Sequence, residues 1–326
     1  MLQLDYTNAE NDPLDSLFFR LLPNGRRSYG DGSLKVDWVT VNGAEQPTEL
    51  SLEDTILEVS LEHSLNPGEA AQIGMSFQGL SPRFASLQAQ VAGTLVSSYY
   101  LPDHEGGGQR ALDVAIQTLE TFNSQFGPYP YAELDVVDAP MQNATGVEFP
   151  GIVLVGNALY PEYNLTGFAV TTAHEVAHQW WYNLVGNDVF TEPWLDEAMA
   201  SYSSGLYLES ALGKPALEGL MSAYQERYQR SVDNGGDHPI SESLAYFENS
   251  ASPNAYGGIV YAKGALFLDA VRQEIGDEAF FAALRSYYQA FRYRIAEGED
   301  LLTAFETAAG RPLDDLYQSW NINPQP

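Results

Sequence analysis

The first part of the chain alternates apolar and polar residues in the manner of half-buried strands. Residues 33–41 alternate and then break at Asn42-Gly43, a pair typical of a tight hairpin turn. Residues 55–61 and 71–77 alternate in the same way. Because such strands bury one face of a sheet, residues 1–85 are predicted to form a small antiparallel β domain.

The segment that follows mixes short strands with one helix. The tripeptide Ser81-Pro82-Arg83 is the predicted boundary after the β domain. Apolar residues within 109–126 recur at helical spacing, which predicts a helix there. The other elements predicted in this segment are strands at 94–101, 134–137 and 151–155 and an acidic, glycine-rich loop at 103–108.

From about residue 166 onward the apolar spacing is that of helices. A helix that contains His174 is predicted to run to about Val185 and to stop at Gly186. A second helix is predicted over residues 193–213, because proline suits a first helical turn and glycine ends a helix. Further helices are predicted at 216–230, 264–275, 278–291 and 300–309. Strands first and helices after them indicate an α+β fold.

Length and hydropathy favour a globular protein. The chain has 326 residues, 44% of them hydrophobic, which suits two ordinary domains or one large one. Its apolar runs fall short of the ~20 residues that a membrane helix needs, so no membrane insertion is predicted. The N-terminus lacks the basic and apolar regions of a signal peptide. We therefore expect a soluble protein, located in the cytoplasm or outside it after loss of a signal segment.

Acidic residues dominate the charge of the chain. Its 15 Lys and Arg residues stand against 44 Asp and Glu residues, for a net charge of −29. Such a charge repels nucleic acid and anionic membrane surfaces and attracts cationic ligands. The chain has no cysteine, which excludes disulfides and thiolate metal sites and fits either an oxidising or a reducing compartment.

The pattern His-Glu-x-x-His at residues 174–178 is the strongest candidate for chemistry. On a helix, His174 and His178 lie on one face and direct two imidazoles to one point, which suits a zinc ion. Glu175 could then hold and deprotonate a water on that metal. Taken alone, these five residues also fit a helix that happens to carry two histidines.

A catalytic zinc site of this kind needs a third protein ligand and an open fourth position. In the metzincin pattern the third ligand is a histidine six residues after His178, but that position holds Leu184. Glu197 lies 19 positions after His178, and the turn between Gly186 and Pro193 would bring it back beside the histidines. The alternative for Glu197 is an ordinary glutamate in a first helical turn, which the helix dipole favours.

These residues, together with two further blocks, resemble the M1 family of zinc aminopeptidases, which belongs to the gluzincins. The pattern His-Glu-x-x-His followed by Glu197 is the first block. Residues 260–264, Val-Tyr-Ala-Lys-Gly, are similar to the family's Tyr-x-Lys-Gly. Residues 146–151, Gly-Val-Glu-Phe-Pro-Gly, are similar to its Gly-x-Met-Glu-Asn. The resemblance spans about residues 95–320, and the N-terminal strands resemble part of the family's β-rich N-terminal domain.

The resemblance implies an architecture and a set of roles. It implies an abbreviated N-terminal β domain at 1–85, a thermolysin-like catalytic domain at 86–326, with a mixed sheet and then helices, and one zinc ion per chain. A substrate-binding element would include Gly146 and Val147. The implied roles are zinc ligation by His174, His178 and Glu197, general base catalysis by Glu175, hydrogen bonding to the oxyanion by Tyr261, and binding of the substrate ammonium by Glu148.

The chain departs from the family pattern at several positions. Val147 stands in place of Met and Phe149 in place of Asn, so the ammonium pocket is expected to differ in shape. Ala198 stands where the family usually has Gly. We also expect the family's C-terminal helical domain to be missing, and therefore an open cleft.

Three functions fit the sequence. The first is an aminopeptidase that acts as a monomer on peptides with a free N-terminus. The second is a gluzincin with other chemistry, such as an endopeptidase or an epoxide hydrolase. The third is an inactive adaptor, which predicts lost ligands; because Glu175, Tyr261 and all three ligands remain, the sequence favours an enzyme.

Overall fold

The computed structural model describes residues 2–8, 12–21, 24, 33–52, 54–80, 84–141, 144–249 and 255–322. The chain divides into two compact units. The first consists of Met1–Phe84 and Ala139–Ala144, and the second of Ala85–Asp138 and Thr145–Pro326. The tripeptide Ser81-Pro82-Arg83, predicted as a boundary, lies outside the described residues.

The first unit consists of antiparallel strands, as the alternation predicts. Its strands are β1 (Leu2–Thr7), β2 (Leu14–Arg20), β3 (Ser33–Val41), β4 (Ala44–Glu45), β5 (Thr48–Ser51), β6 (Ile56–Leu65) and β7 (Ala70–Leu80). They form two sheets, in the orders β1-β7-β3-β4 and β2-β6-β5. Val39, Val59 and Ile73 are fully buried in the core of this unit. Two sheets form because the chain pairs distant strands, such as β3 with β7, which local alternation does not reveal.

The second unit begins with a mixed sheet, as expected. Its strands are β8 (Ala85–Val91), β9 (Thr94–Tyr100), β10 (Glu133–Ala139), β11 (Gly146–Phe149) and β12 (Ile152–Gly156), in the order β11-β12-β10-β9-β8. Strands β9 and β10 are parallel, whereas β8 with β9 and β11 with β12 are antiparallel. Strand β11 therefore lies at an edge of this sheet, and it packs against the helix Thr166–Ala177.

Helices make up most of the rest of this unit. They are α1 (Glu105–Gln125), α2 (Thr166–Ala177), α3 (Trp194–Leu212), α4 (Lys214–Gly235), α5 (Leu244–Glu248), α6 (Gly264–Phe291), α7 (Gly298–Ala309) and α8 (Asp314–Ser319), with 3-10 helices at Pro102–His104 and Asn157–Glu162. A two-stranded parallel ladder pairs β13 (Val185–Gly186) with β14 (Arg294–Ile295). No helix in the described ranges combines the length and apolar character needed to cross a membrane.

The prediction of a glycine-rich loop at 103–108 is wrong, because these residues form a 3-10 turn and the start of α1. Packing explains the glycines. A Cβ added at Gly107 would lie 2.5 Å from a ring carbon of Tyr160, and one at Gly108 would lie 2.1 Å from a ring carbon of Tyr100. The glycines therefore let the first turn of α1 approach aromatic rings closely.

The prediction that the His174 helix runs to about Val185 is also wrong. Helix α2 ends at Ala177, and His178 is its C-cap. Two buried indoles draw the next segment out of the helical path, since Trp180 donates to the carbonyl of Gly127 at 2.9 Å and Trp181 donates to Ser203 Oγ at 3.0 Å. The apolar run continues past the helix because this segment is buried, not because it is helical.

The segment before α6 holds an element that the sequence does not reveal. Residues Gly257–Lys263 form a π-helix that leads directly into α6. Within α6, the two helices predicted at 264–275 and 278–291 are present and meet at a kink at Gly276, whose φ of 81° and ψ of 161° are not helical. Single turns of π-helix are frequently found at functional sites.

Candidate metal centre

Two imidazoles meet at the end of α2. His174 lies in the last turn of α2, and its Nε2 atom is 3.1 Å from Nε2 of His178. Nδ1 of His178 lies 3.1 Å from the carbonyl oxygen of Trp181. A nitrogen facing a carbonyl must carry the proton, so Nε2 of neutral His178 presents its lone pair to the same point as His174.

Glu197 completes this cluster from the neighbouring helix. It lies in the first turn of α3, and its Oε2 atom is 3.1 Å from Nε2 of His174 and 3.5 Å from Nε2 of His178. The structure thus brings together the three residues named as ligands from the sequence. Helices α2 and α3 pack together, so the spacing between the motifs becomes a short distance in space.

The donor set fits a zinc ion. Nitrogen and oxygen ligands at roughly 2.0–2.2 Å in a tetrahedron are separated from one another by roughly 3.3–3.6 Å. The distances of 3.1, 3.1 and 3.5 Å among His174, His178 and Glu197 are close to that spacing. Two imidazoles and one carboxylate are also the donors of many catalytic zinc sites.

Glu175 is buried next to this cluster, and its carboxylate occupies space that a side chain at position 146 would need. The residue is only 5% exposed, and within the described part of the chain its Oε2 atom has no hydrogen-bond partner. A Cβ built on Gly146 would lie 2.1 Å from Oε1 of Glu175. Gly146 therefore leaves the space through which the Glu175 carboxylate passes. An unpartnered buried carboxylate is costly unless a ligand, water or cation meets it.

Glu148 approaches the same point from strand β11. Ligand atoms of Glu148, Glu175 and His178 all lie within 4.8 Å of one another. In the ladder with β12, Glu148 is paired with Val153, and Gly146 with Val155. Gly146 and Glu148 are two residues apart on a strand, so they belong to the same face of the sheet. Val147, which lies between them, belongs to the opposite face.

Tyr261 reaches the cluster from the π-helix. Its hydroxyl donates a short hydrogen bond to Oε1 of Glu197, and its ring stacks on that of His174 at 5.7 Å between centroids. Burial and the charge of Glu197 raise the pKa of Tyr261 far above its usual value, so the phenol keeps its proton. Arg227 lies over the Tyr261 ring at 5.8 Å.

Lys263 and Gly264 hold the π-helix in place. Lys263 is 1% exposed, and its Nζ atom donates to both carboxylate oxygens of Asp237, at 2.8 and 3.0 Å, and to the carbonyl of His238 at 2.8 Å. A Cβ built on Gly264 would lie 2.5 Å from Cβ of Ala198, the residue after Glu197. In the Tyr-x-Lys-Gly block, Lys263 therefore anchors the π-helix through hydrogen bonds, and Gly264 allows close packing against α3.

Two buried polar residues escape the sequence analysis. Asp196 accepts a hydrogen bond from Asn187 at 3.0 Å, and burial raises the pKa of Asp196 to about 7. Gln179 is fully buried and donates to the carbonyl oxygen of Phe149 at 2.9 Å. Both residues are direct neighbours of predicted ligands in the chain, which is the only signal that could have found them.

The electrostatics of the cluster favour a bound cation. Burial raises the pKa of Glu175 to about 8. Burial opposes ionisation of Glu197, but hydrogen bonds from His174 and His178 outweigh it and lower the Glu197 pKa. Burial lowers the pKa of His174, and for His178 that effect is outweighed by Glu197, which raises the His178 pKa to about 10. The carboxylates therefore attract a positive charge, which a proton or a metal ion can supply.

The chain is similar in sequence to proteins of known family. The family model described as the peptidase family M1 domain matches residues 110–320. Aminopeptidase M1-B from Oryza sativa subsp. japonica is 33% identical over 238 residues, covering 70% of this chain and 27% of that protein. Tricorn protease-interacting factor F2 from Thermoplasma acidophilum is 27% identical over 221 residues, covering 65% of this chain and 28% of that protein. The chain thus spans about a quarter of the length of these relatives.

A solved structure shares the fold over nearly the whole chain. An M1 zinc metallopeptidase from Deinococcus radiodurans aligns with a TM-score of 0.58 and 16% identity, covering 99% of this chain and 89% of that one. At this level of identity the likeness concerns the fold.

Proposed function

The chain belongs to the M1 family of peptidases, and from this membership and the geometry of its site we propose that it is a zinc-dependent aminopeptidase. Its reaction would be the hydrolysis of the first peptide bond of peptides with a free N-terminus. The observation that carries the proposal is the convergence of Glu148 and Glu175 with the ligand cluster, with carboxylate and imidazole atoms within 4.8 Å of one another. We further propose one zinc ion per chain and activity as a monomer.

His174, His178 and Glu197 would hold the zinc ion, which when bound polarises the substrate carbonyl and makes a water molecule easier to deprotonate. Glu175 is the general base. Its unpartnered, buried carboxylate takes a proton from the attacking water and afterwards delivers it to the leaving amine. A pKa raised to about 8 by burial marks a carboxylate with a high affinity for a proton, and a nearby cation would favour its ionised form.

Tyr261 stabilises the negative charge that develops on the substrate carbonyl oxygen. Its hydroxyl lies at Glu197 and keeps its proton because burial and that carboxylate raise the Tyr261 pKa. A donor held in a dry site is most effective once the oxygen becomes negative, because no rearrangement is needed at that moment.

Glu148 selects substrates with a free N-terminus. Its half-buried carboxylate lies near Glu175 and His178, where the first residue of a bound peptide would lie. A substrate ammonium that leaves water needs a fixed counter-charge, which a carboxylate supplies through charge-assisted hydrogen bonds. Zinc-dependent hydrolysis does not itself require a free amine, so the preference has to come from this contact.

We assign the chemistry to a catalytic domain at residues 86–326 and regard residues 1–85 as an N-terminal β domain. The ligands, Glu175, Glu148 and Tyr261 all come from the later region. The proposal therefore predicts that variants within 1–85 leave the chemical step unchanged.

A panel of aminoacyl-aminomethylcoumarins and N-acetylated counterparts, assayed with and without chelator, tests the proposal. We expect hydrolysis of free-amine substrates only, with loss of activity on chelation. Glu148→Ala should weaken kcat/KM for free-amine substrates by roughly 2–5 kcal/mol, the range for truncating one partner of a buried charge pair. Glu162→Ala, which removes an exposed carboxylate, is the control. Equal cleavage of free and acetylated peptides by the wild type would replace the proposal with an endopeptidase.

A further inference from the structure

Gln179 connects the end of the metal-binding helix to strand β11. Its Nε2 atom donates to the carbonyl oxygen of Phe149 at 2.9 Å, and its Oε1 atom accepts from the backbone N–H of Gly151 at 2.8 Å. The hydroxyl of Tyr129 lies 3.4 Å from the same Oε1 atom. The side chain is fully buried and directly follows His178.

These contacts close the turn between β11 and β12 from both sides. Phe149 is the last residue of β11, and Gly151 lies in the turn with a φ of 78°. An amide donates to a carbonyl and accepts from an N–H with one planar group, and only one orientation of the amide satisfies both partners. Leucine offers neither contact, and an ionised carboxylate offers only the second.

Strand β11 depends on this contact because it is an edge strand. Its ladder partner is β12, and both strands pack against helix α2. Two contacts with the α2 region flank Glu148. Toward one end of the strand, Gly146 lies against the Glu175 carboxylate, and at the other end Gln179 binds the carbonyl of Phe149. Glu148 lies between these two points, next in the chain to the residue that Gln179 binds.

We propose that Gln179 is a positioning residue for the ammonium pocket, and that it sets the distance between the Glu148 carboxylate and the metal ligands through its hydrogen bonds to the β11–β12 turn. This inference rests on the proposed role of Glu148. Because Gln179 follows His178 directly in the chain, its two hydrogen bonds to the backbone of the β11–β12 turn resist a shift of β11 relative to the ligands. The selectivity for free amines is thereby tied to the helix that carries the catalytic groups.

The variants Gln179→Leu and Gln179→Glu test this role. Gln179→Leu should raise KM for free-amine substrates far more than it lowers kcat, with a loss in kcat/KM of roughly 10- to 100-fold, as expected for a misplaced binding group. Gln179→Glu keeps the acceptor and should fall between the wild type and Gln179→Leu. Zinc content, measured by elemental analysis, should stay at the wild-type level in both variants.

A control and a binding measurement separate positioning from general damage. Trp181 lies on the same segment after α2 as Gln179, but its indole donates to Ser203 of α3. Ser203→Ala removes this acceptor and should leave KM unchanged. Calorimetry should show that Gln179→Leu weakens binding of L-arginine and leaves the weak binding of N-acetyl-L-arginine unaltered. Should Gln179→Leu fail to fold, Gln179→Glu with the same measurements carries the test.

The decisive comparison uses Glu148→Ala as the background. If Gln179 acts through Glu148, adding Gln179→Leu to Glu148→Ala should change KM by less than about twofold. If Gln179→Leu lowered kcat/KM by the same factor in the wild type and in Glu148→Ala, the positioning role would be overturned. If the wild type itself does not prefer free amines, the proposed function fails instead, so the two failures are distinguishable.

Discussion

The Glu175 carboxylate occupies the space in which a Cβ of residue 146 would lie, at a separation of 2.1 Å from its Oε1 atom. Gly146 belongs to the edge strand β11, and Glu175 to helix α2. Strand and helix therefore meet through a glycine at the point where the proposed general base emerges. The absence of a side chain at Gly146 leaves room for the Glu175 carboxylate.

Gly146→Ala should displace the Glu175 carboxylate and lower kcat by roughly 100-fold, because a general base has to lie within hydrogen-bond reach of the water. Zinc content should remain unchanged, since no ligand is altered. Steady-state kinetics with elemental analysis measures both. Gly167→Ala, in α2 with nothing within 4 Å of the added Cβ, is the matched control and should keep full activity. Normal kcat in Gly146→Ala would show that the carboxylate can move without consequence.

Glu175→Gln should retain zinc and lose about 10²–10⁴-fold in kcat, the usual contribution of a general base. An amide fills the same volume but cannot accept a proton from water. Because burial of an unpartnered carboxylate is itself costly, the variant should be at least as stable as the wild type in thermal unfolding. Activity within about tenfold of the wild type contradicts the assignment.

His178→Ala and Glu197→Ala should each lose bound zinc, because two protein ligands rarely hold the metal. Elemental analysis of dialysed protein gives the stoichiometry, for which we expect one in the wild type. Glu218→Ala, which removes a carboxylate with a side chain 64% exposed, provides the control. Full zinc occupancy in both ligand variants would require another set of ligands.

Tyr261→Phe should lower kcat by roughly 10²–10³-fold and change KM little, because the hydroxyl matters once negative charge develops. The comparison variant is Tyr202→Phe, which removes a hydroxyl that donates to Asp269 at 3.3 Å and has no role in the proposed site. An unchanged kcat in Tyr261→Phe would mean that Tyr261 has a packing role only.

Lys263 and Asp237 form an ion pair, and the loss of stability should depend on which of the two is removed. Asp237→Ala leaves a buried ammonium without its counter-ion, so it should cost stability at the lower end of ~3–5 kcal/mol, since Asp237 is itself 39% exposed. Lys263→Met removes the buried charge, and the partly exposed Asp237 carboxylate can then be hydrated. This variant should lower the free energy of unfolding by only about 1 kcal/mol. Chemical denaturation measures both. The reverse order of the two costs would mean that Lys263 is stable without its partner.

Motif spacing identified the residues of the centre but not the elements that carry them. His174, Glu175 and His178 were predicted on one long helix, whereas His178 caps a helix that ends at Ala177. Tyr261 was placed by resemblance alone, and the structure puts it on a π-helix. Both differences arise because buried polar and aromatic groups, such as the Trp180 indole, find partners that local apolar spacing does not encode.

The class of the fold, most of the helices and strands and the identity of the candidate ligands follow from the amino-acid sequence, because periodicity and motif spacing are local properties of the chain. Only the tertiary structure decided that Glu197 comes to 3.1 Å from His174, that Gly146 makes room for Glu175 and that Gln179 binds the turn after Glu148. These contacts join residues that lie 23, 29 and 30 positions apart in the chain, counting the last to Phe149. Such distances depend on how helices and strands pack, which no local pattern specifies.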